Sequence, residues 1–151
     1  MITKLKKVPV FKVNEVVPFT PEGGKQKYCS RLLIDANSVG SKNIVLNHFT
    51  LQPGQQTYSG SHPDPFEEVY YILRGKGVVT LSEDGKPRQY EVGPGSVAYI
   101  APTVAHQIKN IGDEDLEMLT MMPFQPTPGV NTVYDERKKK WGTSFRLVSN
   151  K

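Results

Sequence analysis

The sequence has little cysteine, no long apolar run and no strong excess of one charge. Cys29 is the only cysteine among 151 residues, which excludes an intrachain disulfide and a thiolate metal cluster. No stretch approaches the length of a membrane span, and no apolar run follows the first lysines as it would in a signal peptide. We therefore expect a cytoplasmic protein without a membrane partner, in which Cys29 is a small packed residue and not a nucleophile.

The positive charge is small and lies near the two ends of the chain. Nineteen Lys and Arg residues against 15 Asp and Glu residues give a net charge of +4, and much of the excess is in Lys4, Lys6, Lys7 and the run 138–140. No basic stripe alternates with aromatic residues, and no recognition-helix pattern is present. These lysines are interpreted as solvated termini, and no nucleic-acid partner is expected.

Short strand-like runs and tight corners dominate what the sequence does contain. Corners such as Pro53-Gly54, Asp84-Gly85 and Gly112-Asp113 separate apolar, β-branched and aromatic runs. Many short strands at roughly 8–12-residue spacing are typical of an all-β sandwich or barrel. The predicted strands are residues 28–34, 44–51, 69–73, 78–81, 97–100, 106–111, 116–122 and 144–148. A short helix is predicted at 134–141, where acidic residues come early and lysines late, as the helix dipole favours.

Two histidines and one or two carboxylates lie in or beside these predicted strands. His62 and Asp64 stand in a proline-rich loop before Glu68, and His106 begins another strand about forty residues later. Burying a carboxylate is costly without a partner, and a bound cation would remove that cost. Imidazole nitrogen and carboxylate oxygen suit Fe(II), Mn, Ni or Zn. The set can hold one divalent metal if the strands face each other across a barrel. Taken singly, each of these residues is as readily an ordinary surface, turn or hydrogen-bonded residue.

At these positions the sequence resembles the cupin superfamily. The first cupin motif is glycine, five residues, His-x-His, three or four residues, Glu, six residues and glycine. Gly54, His62, Asp64, Glu68 and Gly75 follow it, with Asp64 in the place of the second histidine and a loop two residues longer than usual. An alternative alignment puts residues 60 and 62 in the two histidine positions.

The second motif is glycine, five residues, Pro-x-Gly, two residues, His, three residues and Asn. Gly95, Thr103, His106 and Asn110 follow its spacing, although Thr103 stands where the motif has glycine and Pro102 is displaced by one position. The resemblance covers residues 44–122. It implies one domain over residues 1–151 with the double-stranded β-helix fold, or jelly roll. Strands in 1–43 would precede the barrel motifs, and an extension in 123–151 would follow them.

The resemblance also implies a metal site. The metal would be held by His62, Glu68 and His106, with Asp64 either as a further ligand or as a hydrogen-bond partner of metal-bound water. The metal would be Mn, Fe(II), Zn or Ni, its identity left open. His48, on the preceding strand, is a reserve ligand.

For function, the resemblance implies a metal-dependent enzyme that acts on a sugar, a sugar phosphate or a hydroxy or keto acid. The reaction would be an isomerisation, a lyase reaction or a dioxygenation. Residues 98–106 are similar to sugar-phosphate isomerases of the superfamily, but a phosphate needs convergent basic groups, and Arg74 and Lys76 lie beyond Glu68 at the end of its strand. A non-enzymatic binding module and a barrel with a decayed metal site are the alternatives. By analogy a homodimer is expected.

Three further side chains are weighed for the site. Tyr70 shares a strand face with Glu68 and is the candidate catalytic residue. Tyr99 is interpreted as core packing. Glu67 could act as a general base, but strand alternation directs it away from Glu68.

Overall fold

The structure is a computed structural model that describes residues 10–16, 18–21, 28–35, 39–123 and 145–147. Within these ranges helix is limited to one 3-10 turn, Val13–Glu15, and no helix there is long and apolar enough to cross a membrane. The strands are β1 Phe19–Pro21, β2 Tyr28–Ile34, β3 Ile44–Leu51, β4 Glu68–Arg74, β5 Gly77–Glu83, β6 Lys86–Val92, β7 Val97–Ile100, β8 Ala105–Asn110, β9 Leu116–Pro123 and β10 Phe145–Leu147. The all-β prediction is confirmed. The helix predicted at 134–141 lies outside the described residues.

The strands form two antiparallel sheets around a common core. The larger sheet has the order β10-β1-β2-β3-β9-β4-β7, and the smaller sheet has the order β6-β5-β8. Leu51 and Ile72 from the larger sheet share one buried cluster with Val79 and Ile108 from the smaller one. Two sheets enclosing one core is the predicted jelly-roll arrangement.

Alternation along the strands determines which side chains reach the interior. On β3, Val45, Asn47, Phe49 and Leu51 are buried at every second position, although the intervening His48 is buried as well. On β4, residues 68, 70 and 72 are buried, and Tyr71 between them is exposed. Because side chains alternate between the faces of a strand, Glu68 and Tyr70 both face the interior, as predicted.

The glycine that closes the first motif is required by its surroundings. Gly75 has a φ of +90°, which L side chains rarely adopt, and a Cβ atom placed there would lie 2.7 Å from the backbone oxygen of Asp115. The backbone of Asp115 and Leu116, where β9 begins, therefore packs directly against the turn between β4 and β5.

The asparagine that closes the second motif holds two connections together. Asn110 is fully buried, and its amide donates to the carbonyl oxygens of Leu51 at 2.8 Å and Glu114 at 2.7 Å. Its Oδ1 accepts a hydrogen bond from the backbone of Gly112. The side chain thus ties the end of β3 to the turn between β8 and β9.

Two strands were not predicted. β6 is exposed along most of its length and lies at the edge of the smaller sheet, so it lacks the buried apolar face by which strands are recognised. Pro87 within it also argues against a strand, but proline is tolerated at a sheet edge. The other unpredicted strand, β1, has only three residues.

Candidate metal centre

Three of the four predicted ligands converge at one point inside the barrel. The Nε2 atoms of His62 and His106 each lie 3.0 Å from Oε2 of Glu68. One ligand atom from each of the three side chains lies within 4.8 Å of the others. The two imidazole rings are tilted, with centroids 5.3 Å apart. This is an N,N,O donor set of the size and chemistry that a divalent transition metal uses.

Each of the three side chains is supplied by a different part of the fold. Glu68 is the first residue of β4 in the larger sheet, and His106 lies on β8 in the smaller sheet, opposite Leu81. His62 comes from the long connection between β3 and β4. The centre therefore lies where the two sheets and that connection meet.

Backbone pairing holds the His62 connection against β8. Gly60 forms an antiparallel bridge with His106, in which His106 N donates to Gly60 O at 2.8 Å and Gly60 N donates to His106 O at 3.2 Å. Earlier in the connection, Thr57 N donates to Ile108 O at 2.9 Å. The part of the loop that is longer than the motif requires thus runs along β8 and brings His62 beside His106.

Thr103 supports the connection from the other motif. Its backbone N–H donates to the carbonyl oxygen of His62 at 2.8 Å, and its φ is +68°. Left-handed backbone is rare for a β-branched residue and is the usual reason for glycine. The second motif therefore has glycine at this position because the backbone is left-handed there. Thr103 adopts the same conformation under strain.

The charges at the centre stabilise one another. Burial alone would raise the pKa of Glu68, but hydrogen bonds from His106 and His62 and the positive charges of both rings outweigh it and lower that pKa to about 2. Burial lowers the pKa of His106, but the hydrogen bond to Glu68, the charge of Glu68 and the Val104 carbonyl raise it overall. The lowered pKa keeps Glu68 ionised, so its carboxylate is available to a cation.

The outer nitrogen of His106 fixes its tautomer. Nδ1 lies 3.0 Å from the carbonyl oxygen of Val104, so in the neutral ring Nδ1 carries the hydrogen and donates it. The Nε2 lone pair then faces the centre. A metal-ligating histidine characteristically has such a partner on its second nitrogen. The residues present therefore fit a divalent metal.

The fourth predicted ligand is not brought into this group. Asp64 is exposed in the turn before β4, and its carboxylate is not among the three convergent ligand atoms. Under either alignment of the first motif, the structure brings together two histidines and one glutamate. The assignment of Asp64 as a ligand stays a prediction.

The three side chains considered for catalysis do not all lie at the centre. Tyr70 is buried, and its ring meets that of His106 edge-on at a centroid distance of 6.1 Å. The interpretation of Tyr99 as core packing is wrong, because Tyr99 is 55% exposed on the outer face of β7. Its hydroxyl donates to Glu67 Oε1 at 2.6 Å, and Glu67 is exposed and directed away from Glu68, as alternation predicts.

His48, the reserve ligand, pairs with Glu117 and is not among the three convergent ligands. It is buried on the face of β3 opposite to Asn47, and its Nε2 lies 2.7 Å from Oε1 of Glu117 on β9.

Cys29 is half-buried, and burial raises the pKa of its thiol, an effect that the Arg31 charge partly offsets. A raised thiol pKa fits a packed cysteine, as expected.

Sequence analysis missed a row of polar side chains next to the centre. Asn47 on β3 lies opposite Thr120 on β9, and Thr120 lies opposite Tyr70 on β4. All three are buried. The available signal was Asn47 itself, a polar residue in an alternating series whose other members, Val45, Phe49 and Leu51, are apolar.

Comparison with known families identifies the class of protein that this fold and site define. The profile of the cupin domain matches residues 47–122, which is half of the chain. The chain belongs to the cupin superfamily, as the two motifs predicted.

Individual relatives cover different shares of the chain. Oxalate decarboxylase OxdC of Bacillus subtilis is 30% identical over 109 residues, which are 72% of this chain and 27% of that protein. A glucose-6-phosphate isomerase of Thermococcus litoralis is 39% identical over 70 residues, which are 46% of this chain and 37% of that protein. The chain spans half or less of the length of the first curated relatives that it matches.

A solved structure matches over a greater share of its own length. The crystal structure of a predicted oxalate decarboxylase from Thermotoga maritima superposes with a TM-score of 0.65 at 27% identity. The match covers 77% of this chain and 99% of that one.

Proposed function

We propose that the protein is a metal-dependent cupin enzyme that acts on a small oxygenated acid at the centre formed by His62, Glu68 and His106. The observation that carries this proposal is the convergence of the three ligand atoms within 4.8 Å in the barrel interior. The ion would be Mn, Fe(II), Zn or Ni, all of which accept imidazole and carboxylate ligands. Three protein ligands leave coordination positions open for the substrate.

The charges around the barrel favour a carboxylate substrate over a sugar phosphate. A phosphate group needs convergent basic side chains, and no Lys or Arg whose side-chain burial the structure describes is buried. Arg74 is exposed beside Glu114 and Glu117, and Lys76 is exposed beside Glu91. A hydroxy or keto acid needs no such cluster, because the metal itself can balance one carboxylate. The names of the Bacillus subtilis relative and of the Thermotoga maritima structure refer to oxalate, a dicarboxylate, and so support a carboxylate substrate over a sugar phosphate.

The roles of the surrounding residues follow from their positions. A bound divalent ion would supply Lewis-acid polarisation of a substrate oxygen. Val104, through its carbonyl, keeps the His106 ring oriented, and the buried position of Glu68 limits the access of water. Tyr70 lies against the His106 ring and is the candidate for holding or moving a proton on the substrate.

A second candidate is a non-enzymatic module that binds a metal and a small acid. The observation that favours it is the position of Glu67, the general base considered from the sequence. Glu67 is exposed, accepts a hydrogen bond from Tyr99 and is directed away from the centre. Turnover separates this candidate from the enzyme, and metal content separates both from a barrel whose metal site has decayed.

Metal content of untagged protein purified without chelators tests the centre. We expect about one equivalent of metal per chain, and its loss in the double variant His62→Ala, His106→Ala. Asp64→Ala is the matched control, and it is expected to keep its metal because Asp64 lies outside the convergent group. Loss of the metal in Asp64→Ala would make Asp64 a ligand as well.

Two results would reject this function. One is a wild-type protein that takes up no metal after reconstitution with Fe(II), Mn, Ni and Zn. The other is a double variant that retains the wild-type metal content. If the centre holds metal, turnover of a panel of oxalate, hydroxy acids and keto acids by the loaded protein distinguishes an enzyme from a binding module.

We also propose that the chain forms a homodimer through the outer face of the larger sheet. Exposed apolar side chains cluster there on adjacent strands: Tyr71 and Leu73 on β4, Val97 and Tyr99 on β7, and Met121 on β9. Contiguous exposed apolar surface is typical of interaction sites. The organisation as one domain and the cytoplasmic location stay predictions from the sequence.

A further inference from the structure

A polar layer lies between the candidate metal centre and the apolar core. Asn47, Thr120 and Tyr70 form it on the adjacent strands β3, β9 and β4. Two residues further along these strands, the interior positions are Phe49, Met118 and Ile72, which are buried and apolar. Two residues in the other direction along β4 is the ligand Glu68. On these strands the polar layer thus lies between the level of Glu68 and the apolar level of Phe49, Met118 and Ile72.

Asn47 is the member of this layer whose hydrogen bonding is incomplete. Only 2% of the residue is exposed, and its Oδ1 accepts a hydrogen bond from Ser30 Oγ at 2.6 Å. Its Nδ2 has no hydrogen-bond partner in the part of the chain that the structure describes. A buried amide donor without a partner costs on the order of 1–3 kcal/mol, so a fold retains one only for a reason.

Ser30 defines the orientation of this amide in the structure. Its hydroxyl donates to Oδ1, so the Nδ2 end of the amide is directed away from Ser30. The N–H₂ group is therefore a donor on the interior face of β3 that has no acceptor among the described residues.

The spacing of the strands limits the size of a ligand that would supply this acceptor. Asn47 and Glu68 are separated by two strand spacings across the sheet and by two residues along the strand direction. Their Cα atoms are therefore about 12 Å apart. Both side chains, and the ion that Glu68 would hold, project into this gap. A ligand that bridges an ion at Glu68 and the amide of Asn47 would therefore be a small acid of roughly two to four carbons with oxygen atoms at both ends.

The charges determine the chemistry of the two ends. A metal ion beside Glu68 would bind the anionic end of the ligand. Asn47 is a neutral donor, and no Lys or Arg whose side-chain burial the structure describes is buried to pair with a second anion. The far end is therefore a neutral acceptor, a hydroxyl or carbonyl oxygen.

We infer that Asn47 is a specificity-determining residue whose Nδ2 donates to the distal hydroxyl or carbonyl oxygen of a short hydroxy or keto acid bound at the metal. This inference rests on the proposed function. It goes beyond the metal centre in naming the contact that selects one small acid over another. A site built to hydrogen-bond a substrate oxygen discriminates against the analogue that lacks the oxygen, because the donor is then left unpaired.

Isothermal titration of the Mn²⁺-reconstituted protein tests the inference with two matched pairs of acids. The pairs are 3-hydroxypropionate with propionate and 4-hydroxybutyrate with butyrate, which differ only in the distal hydroxyl. We expect the wild-type protein to bind at least one hydroxy acid about 10- to 100-fold more tightly than its partner. In Asn47→Leu this preference should fall to less than about threefold while the metal content is unchanged. Asn43→Leu, the same substitution at an exposed position before β3, should keep the wild-type preference.

The outcomes separate this inference from the function on which it rests. If the acids bind equally well to the metal-free double variant His62→Ala, His106→Ala, the proposed function and the inference both fail. If neither acid of either pair binds to the loaded wild type, or if the loaded wild type binds both acids of each pair without a preference, the inference alone fails. It fails also if Asn47→Leu keeps the preference. Should Asn47→Leu not fold, Asn47→Ala serves as the second variant, and the preference of the wild type remains decisive by itself.

Discussion

At the scale of single residues, Thr103 explains why the second cupin motif has glycine at its position. Its φ of +68° lets its N–H reach the carbonyl oxygen of His62, so the turn that carries this backbone conformation also positions a ligand. Any L residue there keeps the hydrogen bond at the cost of strain.

Thr103→Gly should therefore stabilise the protein. Relief of the left-handed strain outweighs the greater chain entropy of glycine, and we expect the free energy of unfolding to rise by about 1 kcal/mol. Asp84→Gly is the control, because Asp84 also has positive φ, at +50°, but aspartate tolerates that region. Urea denaturation measures both variants. A Thr103→Gly protein that is less stable than Asp84→Gly would contradict the strain argument.

The ionisation of His106 predicts how metal affinity depends on pH. The pKa of this ring is raised above its ordinary 6.5, whereas that of Glu68 is lowered to about 2. Near neutral pH and below, a metal must displace the His106 proton, while Glu68 is already ionised. Affinity should then fall by about tenfold for each pH unit below the His106 pKa and level off above it.

Titrations of the metal-free protein with Mn²⁺ between about pH 5.5 and pH 8.5 would measure this dependence. Repeating them in buffers of different ionisation enthalpy would count the protons released. A flat profile across the range, with no proton release, would mean that His106 is not a ligand.

The individual site residues were predictable only in part. His62, Glu68 and His106 could be identified because the spacing from His62 to Glu68, from Glu68 to Gly75 and from His106 to Asn110 follows the motifs. Tyr99 was misassigned, since the face on which a strand residue lies depends on register, and the pairing of Val69 with Tyr99 is a tertiary fact. Asn47 was missed because an unpaired amide is visible only once its surroundings are known.

At the scale of elements, the turns rather than the strands hold the site together. Asn110 joins the end of β3 to the β8–β9 turn through its amide, and Gly54 N donates to its backbone oxygen. The connection that carries His62 begins at this point. The motif asparagine is thus a structural residue that fixes the start of that connection.

Asn110→Ala should destabilise the protein by about 2–4 kcal/mol, because it leaves the carbonyl oxygens of Leu51 and Glu114 buried with fewer partners. Lys109→Ala, at the exposed neighbouring position of β8, should change stability by less than about 0.5 kcal/mol. Urea denaturation again gives the comparison. A cost for Asn110→Ala below about 1 kcal/mol would show that water or other groups replace the amide.

The elements themselves were more predictable than the site. Strands with a buried apolar face, such as β2, β3 and β7, were predicted with the bounds that the structure has. β6 was not, because both of its faces are polar and its place is set by pairing with β5. Local sequence specifies a strand when one face must be buried, and it does not specify one that is held only by its neighbour.

At the scale of the whole molecule, the exposed apolar side chains concentrate on one sheet. Tyr71 lies at the centre of this face, opposite Val97 in the register of β4 with β7. Two copies related by a two-fold axis would bury the same patch on each.

Tyr71→Glu should convert the proposed dimer to a monomer. A charge at the centre of a buried apolar interface is unpaired and costly. Tyr90→Glu is the matched control, since Tyr90 is exposed to 45%, close to the 43% of Tyr71, but lies on the smaller sheet. Size-exclusion chromatography with light scattering would report the masses. A monomeric wild type, or a Tyr71→Glu protein that remains dimeric, would reject this interface.

The convergence of three ligands from the two sheets and the connection between β3 and β4 has a consequence for the stability of the barrel. An ion shared by Glu68, His106 and His62 would act as a clip that closes the long loop between residues 62 and 106, and such a closure removes conformations mainly from the unfolded chain. Saturation at a thousand times the dissociation constant would add about 4 kcal/mol to the stability of the folded state. The ion that serves the chemistry would then also stabilise the folded barrel. Its loss would destabilise the region around the three ligands before it destabilises the apolar core.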